Sequence, residues 1–213
     1  LPKGRRGNDP LVSLRGSSAL GRHSLGFGLL VTLLCGLGHA ETLTPTQLVQ
    51  KTGELYFNQS APSSSWQHLL QNTRLSSRYP KPRGVFVTLS RNGKPRACWG
   101  SAYPQYKTVS EATLYATLGA LTKEYRYPPI RKSEWPLLKP QVTVVKALQP
   151  VSRLAAINPL RDGLLVRQGG RAGVMLPGEA KDATYMLVQA KLKASIAPPE
   201  KFQLYRIVAD VYQ

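Results

Sequence analysis

The feature that most constrains how this chain folds is a change of hydrophobic period at Gly84. From there Val85, Val87 and Leu89 alternate with Phe86 and Thr88, and the run ends in Arg91-Asn92-Gly93-Lys94. Alternation places successive side chains on opposite faces of a strand, and Asn-Gly is the pair best suited to a two-residue hairpin turn. The return strand runs from Lys94 towards Gly100 and carries Cys98. A turn this tight commits its two strands to antiparallel pairing.

Helix signals flank the hairpin. Thr44-Pro45-Thr46-Gln47 combines an N-cap threonine, a proline at the first helical position and a glutamine three residues after the cap, ahead of Leu48, Val49, Leu55 and Tyr56. Residues 58–65 read as a polar linker, and Trp66, Leu69 and Leu70 predict a short helix packed on the domain. Tyr79-Pro80-Lys81-Pro82 then forces an extended entry to the hairpin. A second capping box, Thr108-Val109-Ser110-Glu111, opens a helix with a stripe of Leu114, Leu118, Leu121 and Tyr125, and Pro128-Pro129 ends it.

Residues 142–148 are apolar on both faces and predict a central strand. Residues 164–166 and 172–176, joined through Gln168-Gly169-Gly170-Arg171, predict a small peripheral hairpin. Asp182 caps a last helix running to about Ala194, and Tyr205, Ile207, Ala209 and Val211 alternate into a closing strand. The order shows no internal repeat and no regular βαβ succession. It predicts an α+β fold, a mixed and mainly antiparallel sheet flanked by helices.

The first forty residues follow a different logic. Lys3, Arg5, Arg6, Arg15 and Arg22 precede an uncharged apolar run over residues 25–37, too short for the roughly 20 residues of a membrane-crossing helix. Gly38-His39-Ala40 then places small residues where a signal peptidase inspects the chain, so residues 1–40 read as a signal peptide and the mature protein as periplasmic or extracellular. Thr32-Leu33-Leu34 lacks the small residue that precedes a lipidated cysteine, which argues against lipidation of Cys35. Residues 41–82 form a helical segment and linker belonging to the same domain as residues 83–213. Removing the leader takes away five basic residues and Asp9, so the formal charge of +18 falls to +14. A positive excess of this size favours polyanionic partners, an anionic polymer or envelope component among them, as much as it favours solubility.

After cleavage one cysteine, Cys98, and one histidine, His68, remain. A thiol is the strongest nucleophile available, and Arg96 and Lys94 share its strand face, where they would lower its pKa. The alternative is a buried apolar cysteine, with His68 too remote in sequence to imply a dyad. The scattered carboxylates show no zinc-type spacing, and Gly169-Gly170 lacks the strand–glycine–helix context of a phosphate cradle, so neither a metal nor a cofactor is implied. Glu111 reads as a capping residue; Glu124 and Glu134 read as ion-pair partners before they read as acid/base catalysts. Tyr103, Tyr106, Lys107, Tyr125, Arg126, Tyr127, Arg131, Lys132 and Trp135 interleave aromatic and basic residues in a way that suits a polyanion or a sugar chain as well as helix-edge packing.

Several motifs in order resemble the AMMECR family. Gly84-Val85-Phe86-Val87-Thr88-Leu89 is similar to its opening strand, and Arg96-Ala97-Cys98-Trp99-Gly100 occupies the place of its Arg-Gly-Cys-Ile-Gly signature. Ala120 followed by Arg126-Tyr127-Pro128-Pro129, with Glu134 beyond, resembles its Ala-x-x-Asp-x-Arg-Phe-Pro-Pro stretch; Asp162-Gly163-Leu164 and Met175-Leu176-Pro177 match two later positions. Ala97, Trp99, Pro95, Gly178 and Glu179 depart from the pattern. The resemblance implies a larger lobe built from both chain ends and a smaller lobe from a middle segment such as residues 154–176. It carries no settled activity, although it implies Memo-type and radical-chemistry partners or nucleic acid, an intracellular setting that export argues against. Two readings follow: an envelope domain binding a ligand or polyanion through Trp99, Arg126, Tyr127 and Glu134, and a cysteine-dependent enzyme centred on Arg96 and Cys98.

Overall fold

Strands β4 (Lys94–Ser101), β3 (Gly84–Arg91), β5 (Lys139–Pro150), β8 (Gln203–Tyr212), β6 (Gly163–Gln168) and β7 (Arg171–Met175) pair in that order in a six-stranded sheet whose pairings are all antiparallel. The structure, a computed structural model, describes residues 40–58, 63–75 and 79–213. Residues 1–39 of the expected leader and part of the expected 58–65 linker lie outside them. Two short strands, β1 (Glu41–Leu43) and β2 (Thr73–Leu75), form a separate parallel pair. Four helices accompany them among the described residues: α1 (Pro45–Phe57), α2 (Ser63–Gln71), α3 (Val109–Thr122) and α4 (Ala183–Lys193).

Local signals account for most of these boundaries. Asn92 and Gly93 both adopt positive φ, 50° and 73°, so the Asn-Gly pair supplies the turn between β3 and β4. Thr44 caps α1 in a complete capping box with Gln47. At α3 the box is only half formed: Thr108 Oγ1 accepts from Glu111 N–H, while the Glu111 carboxylate accepts from Lys107 N–H, one residue before the cap. Asp182 caps α4 by accepting from Tyr185 N–H.

Three expectations are corrected. Helix α3 ends at Thr122, well short of Pro128-Pro129, and Tyr125, counted on its stripe, lies past the end and is 87% exposed. In compensation α3 is buried almost all round, which its small Ala112, Ala116, Gly119 and Ala120 permit. Thr113 and Thr117 satisfy their buried hydroxyls by donating to the carbonyls of Val109 and Thr113. The β6–β7 hairpin is peripheral only in that β7 is an edge strand; β6 pairs with β8, so the hairpin extends the main sheet instead of standing apart from it. Strand β5 is interior, as its two apolar faces require.

The core has two main parts. One packs α3 and α1 against β3, β4 and β5 through Val49, Val87, Leu89, Ala97, Ala116, Val142 and Val144. The other packs α4 on β6 and β7 through Leu164, Val166, Met175, Met186 and Ala190. Between them Phe86, Val145, Leu165, Leu176 and Ile207 form a third cluster on which Cys98 packs. The second part corresponds to the smaller lobe, which extends beyond Leu176 to include α4 and Ile196. The sheet curls until its two edge strands, β4 and β7, line opposite walls of one cleft.

Candidate functional site

Cys98, Trp99, Gly100 and Ser101 of β4 form one wall of that cleft, and Ala172, Gly173 and Val174 of β7 form the other. Its volume is about 370 Å³. Tyr103, Glu124, Tyr125 and Arg126 close one side, and Lys193 of α4 reaches in from β7. An edge strand leaves backbone groups without a strand partner. Here Glu124 and Arg126 take that role at Cys98: Cys98 N–H donates to Glu124 Oε2 at 3.0 Å and its carbonyl accepts from Arg126 Nη2 at 3.4 Å. On the facing edge Lys193 Nζ donates to the Val174 carbonyl at 2.9 Å.

The Glu124–Arg126 pair is tightly organised. Arg126 Nε donates to Glu124 Oε1 at 2.9 Å, and so does Arg126 N–H, also at 2.9 Å. Burial works to raise the Glu124 carboxyl, whose side chain is only 5% exposed, but the hydrogen bonds from Arg126 and from Cys98 N–H, with the Arg126 charge, hold it down at about 2. The Arg126 guanidinium rises correspondingly, chiefly through its hydrogen bond to Glu124.

The Cys98 thiol faces the third core cluster and accepts from the Thr88 hydroxyl at 3.4 Å. Burial pushes the thiol up; Thr88, Lys193 and Arg126 pull it back, and Glu179 adds to the rise. The net direction is upward, so the sulfur is a protonated thiol at neutral pH. The cations near it are therefore Arg126 and Lys193, not the Arg96 and Lys94 inferred from strand alternation.

A bulge explains the difference. The register steps from Leu89 opposite Ala97 to Ser90 opposite Pro95, leaving Arg96 as the extra residue. Arg96 turns away to Glu134, with Nε to Oε1 at 2.6 Å and Nη2 to Oε2 at 3.1 Å, and Nη2 also donates to the Pro128 carbonyl at 2.8 Å. The pair clamps the 128–135 segment to β4. Trp99 seats on α3: a Cβ at Gly119 would lie 2.1 Å from its ring. Tyr127 is exposed beside Arg126, 5.9 Å from ring centroid to guanidinium carbon. Trp135 leaves the aromatic–basic surface, since its ring fills the space over Gly53 of α1. His68 lines a different depression, formed by α1 and α2, and is absent from the cleft lining.

Of the six residues picked from sequence, the structure brings Cys98, Trp99 and Arg126 to one cleft. It sets Arg96 and Glu134 in a clamp with each other and leaves Tyr127 exposed beside Arg126, outside the cleft lining. Sequence reasoning missed Lys193 and Val174, which lie far along the chain from Cys98. Glu124 was legible only as an ion-pair partner.

The model of the AMMECR1 family matches residues 47–213 of this chain. The chain belongs to the AMMECR1 family. A protein of Methanocella arvoryzae is 32% identical over 153 residues, 65% of this chain and 77% of the relative. One from Methanosarcina mazei is 30% identical over 176 residues, covering 76% and 84%. The solved structure of an uncharacterized protein from Pyrococcus horikoshii matches with a TM-score of 0.63 at 25% identity, over 78% of this chain and 88% of that one. The AMMECR1 match thus takes in both walls of the cleft, β4 and β7, and every residue of its lining.

A thiol held protonated by burial is a weak nucleophile. Alkylation of Cys98 in the native protein at pH 7.5 is expected to run at least about 30-fold slower than in denaturant. Equal rates in the two states would restore the nucleophile reading.

Proposed function

We propose that this AMMECR1-family chain is an exported binding domain of the cell envelope whose ligand is an acidic glycan. The observation that carries the reading is the surface around the cleft mouth. Tyr103 and Tyr125 line the cleft, Tyr106 and Tyr115 adjoin Tyr103, and Tyr127 follows Arg126; all five are at least 38% exposed. Exposed Lys107, Lys123, Arg131 and Lys132 are interleaved with them. Tyrosine rings offer apolar platforms to sugar faces and the cations supply the charge match, while the formal charge of +14 left after loss of the leader steers an acidic chain from a distance. Export rests on the leader-like order of residues 1–40.

The alternative enzyme centred on Arg96 and Cys98 lacks a comparable observation, since Arg96 is committed to Glu134. One experiment tests the proposal. Protein recovered from the envelope fraction, its intact mass matching loss of residues 1–40, is applied to immobilised alginate and to neutral dextran. Retention on alginate alone, falling at least about tenfold as salt rises from 0.05 to 0.5 M, is expected. Replacing Lys123, Arg131 and Lys132 with Ala should weaken it. Retention insensitive to salt, preference for nucleic acid over alginate, or an uncleaved mass would overturn the reading.

A further inference from the structure

A second concavity adjoins the cleft on the other side of the β4 edge. Arg83, Trp99, Ser101, Tyr103, Tyr106 and Tyr115 line it, and its volume is again about 370 Å³. We infer that this groove is a binding site for a small ligand made of one planar ring and one carboxylate, and that Arg83 is its anion anchor.

The size sets the class. About 370 Å³ lies near the lower end for small-molecule sites, enough for a single ring with a short substituent and too small for a dinucleotide. The walls are aromatic. Tyr106 and Tyr115 stack with centroids 4.6 Å apart and planes 10° from parallel, which fixes both rings. Trp99 is immobilised against Gly119, and Arg167 lies 6.0 Å from the Tyr103 ring. Pre-set rings lose little conformational freedom when a planar ligand stacks against them.

The charge is specific. Among the described residues Arg83 is the one cation in the lining, and no carboxylate lines the groove. Arg83 Nη1 donates to the Lys146 carbonyl at 2.8 Å, which orients the guanidinium, while its buried Nε has no partner among the described residues. A buried donor left open in this way is costly unless something accepts from it, and a carboxylate accepts from two guanidinium donors at once. Ser101 and Gln105 add polar contacts for a ring substituent. The glycan reading shares Tyr103, Tyr106 and Tyr115 with this groove but draws its charge from Lys123, Arg131 and Lys132, which lie outside the lining.

The test uses 4-hydroxybenzoate and its neutral amide as probes, titrated into residues 41–213 by ligand-observed NMR. The carboxylate should bind at least about tenfold tighter than the amide, the effect of one charge-assisted hydrogen-bonded pair. Arg83→Gln should erase that preference and Arg83→Lys should keep part of it. Tyr115→Ala, at an exposed position, should weaken both probes together. Equal binding of the two probes to the native protein, no binding of either at 10 mM, or a preference that survives Arg83→Gln would each overturn the inference. Loss of alginate retention with the probe preference intact would sink the glycan reading alone.

Discussion

Gly173→Ala loses roughly 3 kcal/mol of stability, at the upper end of ordinary overpacking. Gly173 lies on β7 where the strand meets α4, and a Cβ there would stand 1.9 Å from the Ala190 carbonyl oxygen and 2.9 Å from Ala194 N. Both obstacles are backbone, so no rotamer change relieves them. The helix cannot simply lift away, because Met186 and Ala190 are fully buried and Lys193 ties its last turn to Val174 and Met175. The side chain gained is one methyl, whose burial offsets less than about 1 kcal/mol. Gly170→Ala is the matched control, for nothing lies within 4 Å of its added Cβ. Urea denaturation of the two variants reads the difference. A Gly173→Ala midpoint equal to that of Gly170→Ala would mean that α4 does not pack on β7 at this distance.

The same contact shows what a sequence does and does not disclose. Turns and caps are local, so Asn92-Gly93, Thr44 with Gln47, and Asp182 announced β3–β4, α1 and α4 correctly. The end of helix α3 is not legible in the sequence, because its C-cap is Lys123, with no glycine or proline to mark it. Its stripe also misled, since a helix wrapped by small residues against both a sheet and α1 has no single apolar face. The parallel β1–β2 pair joins residues about thirty apart, in strands of three residues, too short to show a period. At the site, Cys98 and Trp99 were visible in the strand pattern. Arg96 was assigned to the Cys98 face because alternation assumes an unbroken ladder, and one extra residue at the bulge reverses it. Lys193 and Val174 reach the cleft only through the curl of the sheet, which no local pattern encodes. Gly173 likewise reads as a plain strand glycine until α4 is placed over it.

Glu124→Gln should cost about 2 kcal/mol at pH 7, and the loss should shrink as the pH falls. The carboxylate accepts from Cys98 N–H, from Arg126 N–H and from the Arg126 guanidinium, so the amide keeps an acceptor for some of these donors and loses the charge. A carboxyl at about 2 in the folded chain against an ordinary 4.5 contributes at most about 3 kcal/mol. The sign follows from the direction of the shift. A depressed folded pKa means that the unfolded chain takes up the proton first, so the stabilisation is complete above pH 4.5 and drains away between 4.5 and 2. The variant has no such proton to bind. Urea denaturation of both proteins at pH 3, 4, 5, 6 and 7 should therefore give stability curves that run parallel above about pH 5.5 and converge below 4.5. Curves parallel throughout would show that Glu124 titrates normally and does not close the β4 edge at Cys98. Convergence would show that the Glu124 charge, held by Arg126 and Cys98 N–H in the folded chain, contributes to stability and that this contribution is lost as the unfolded chain takes up the proton.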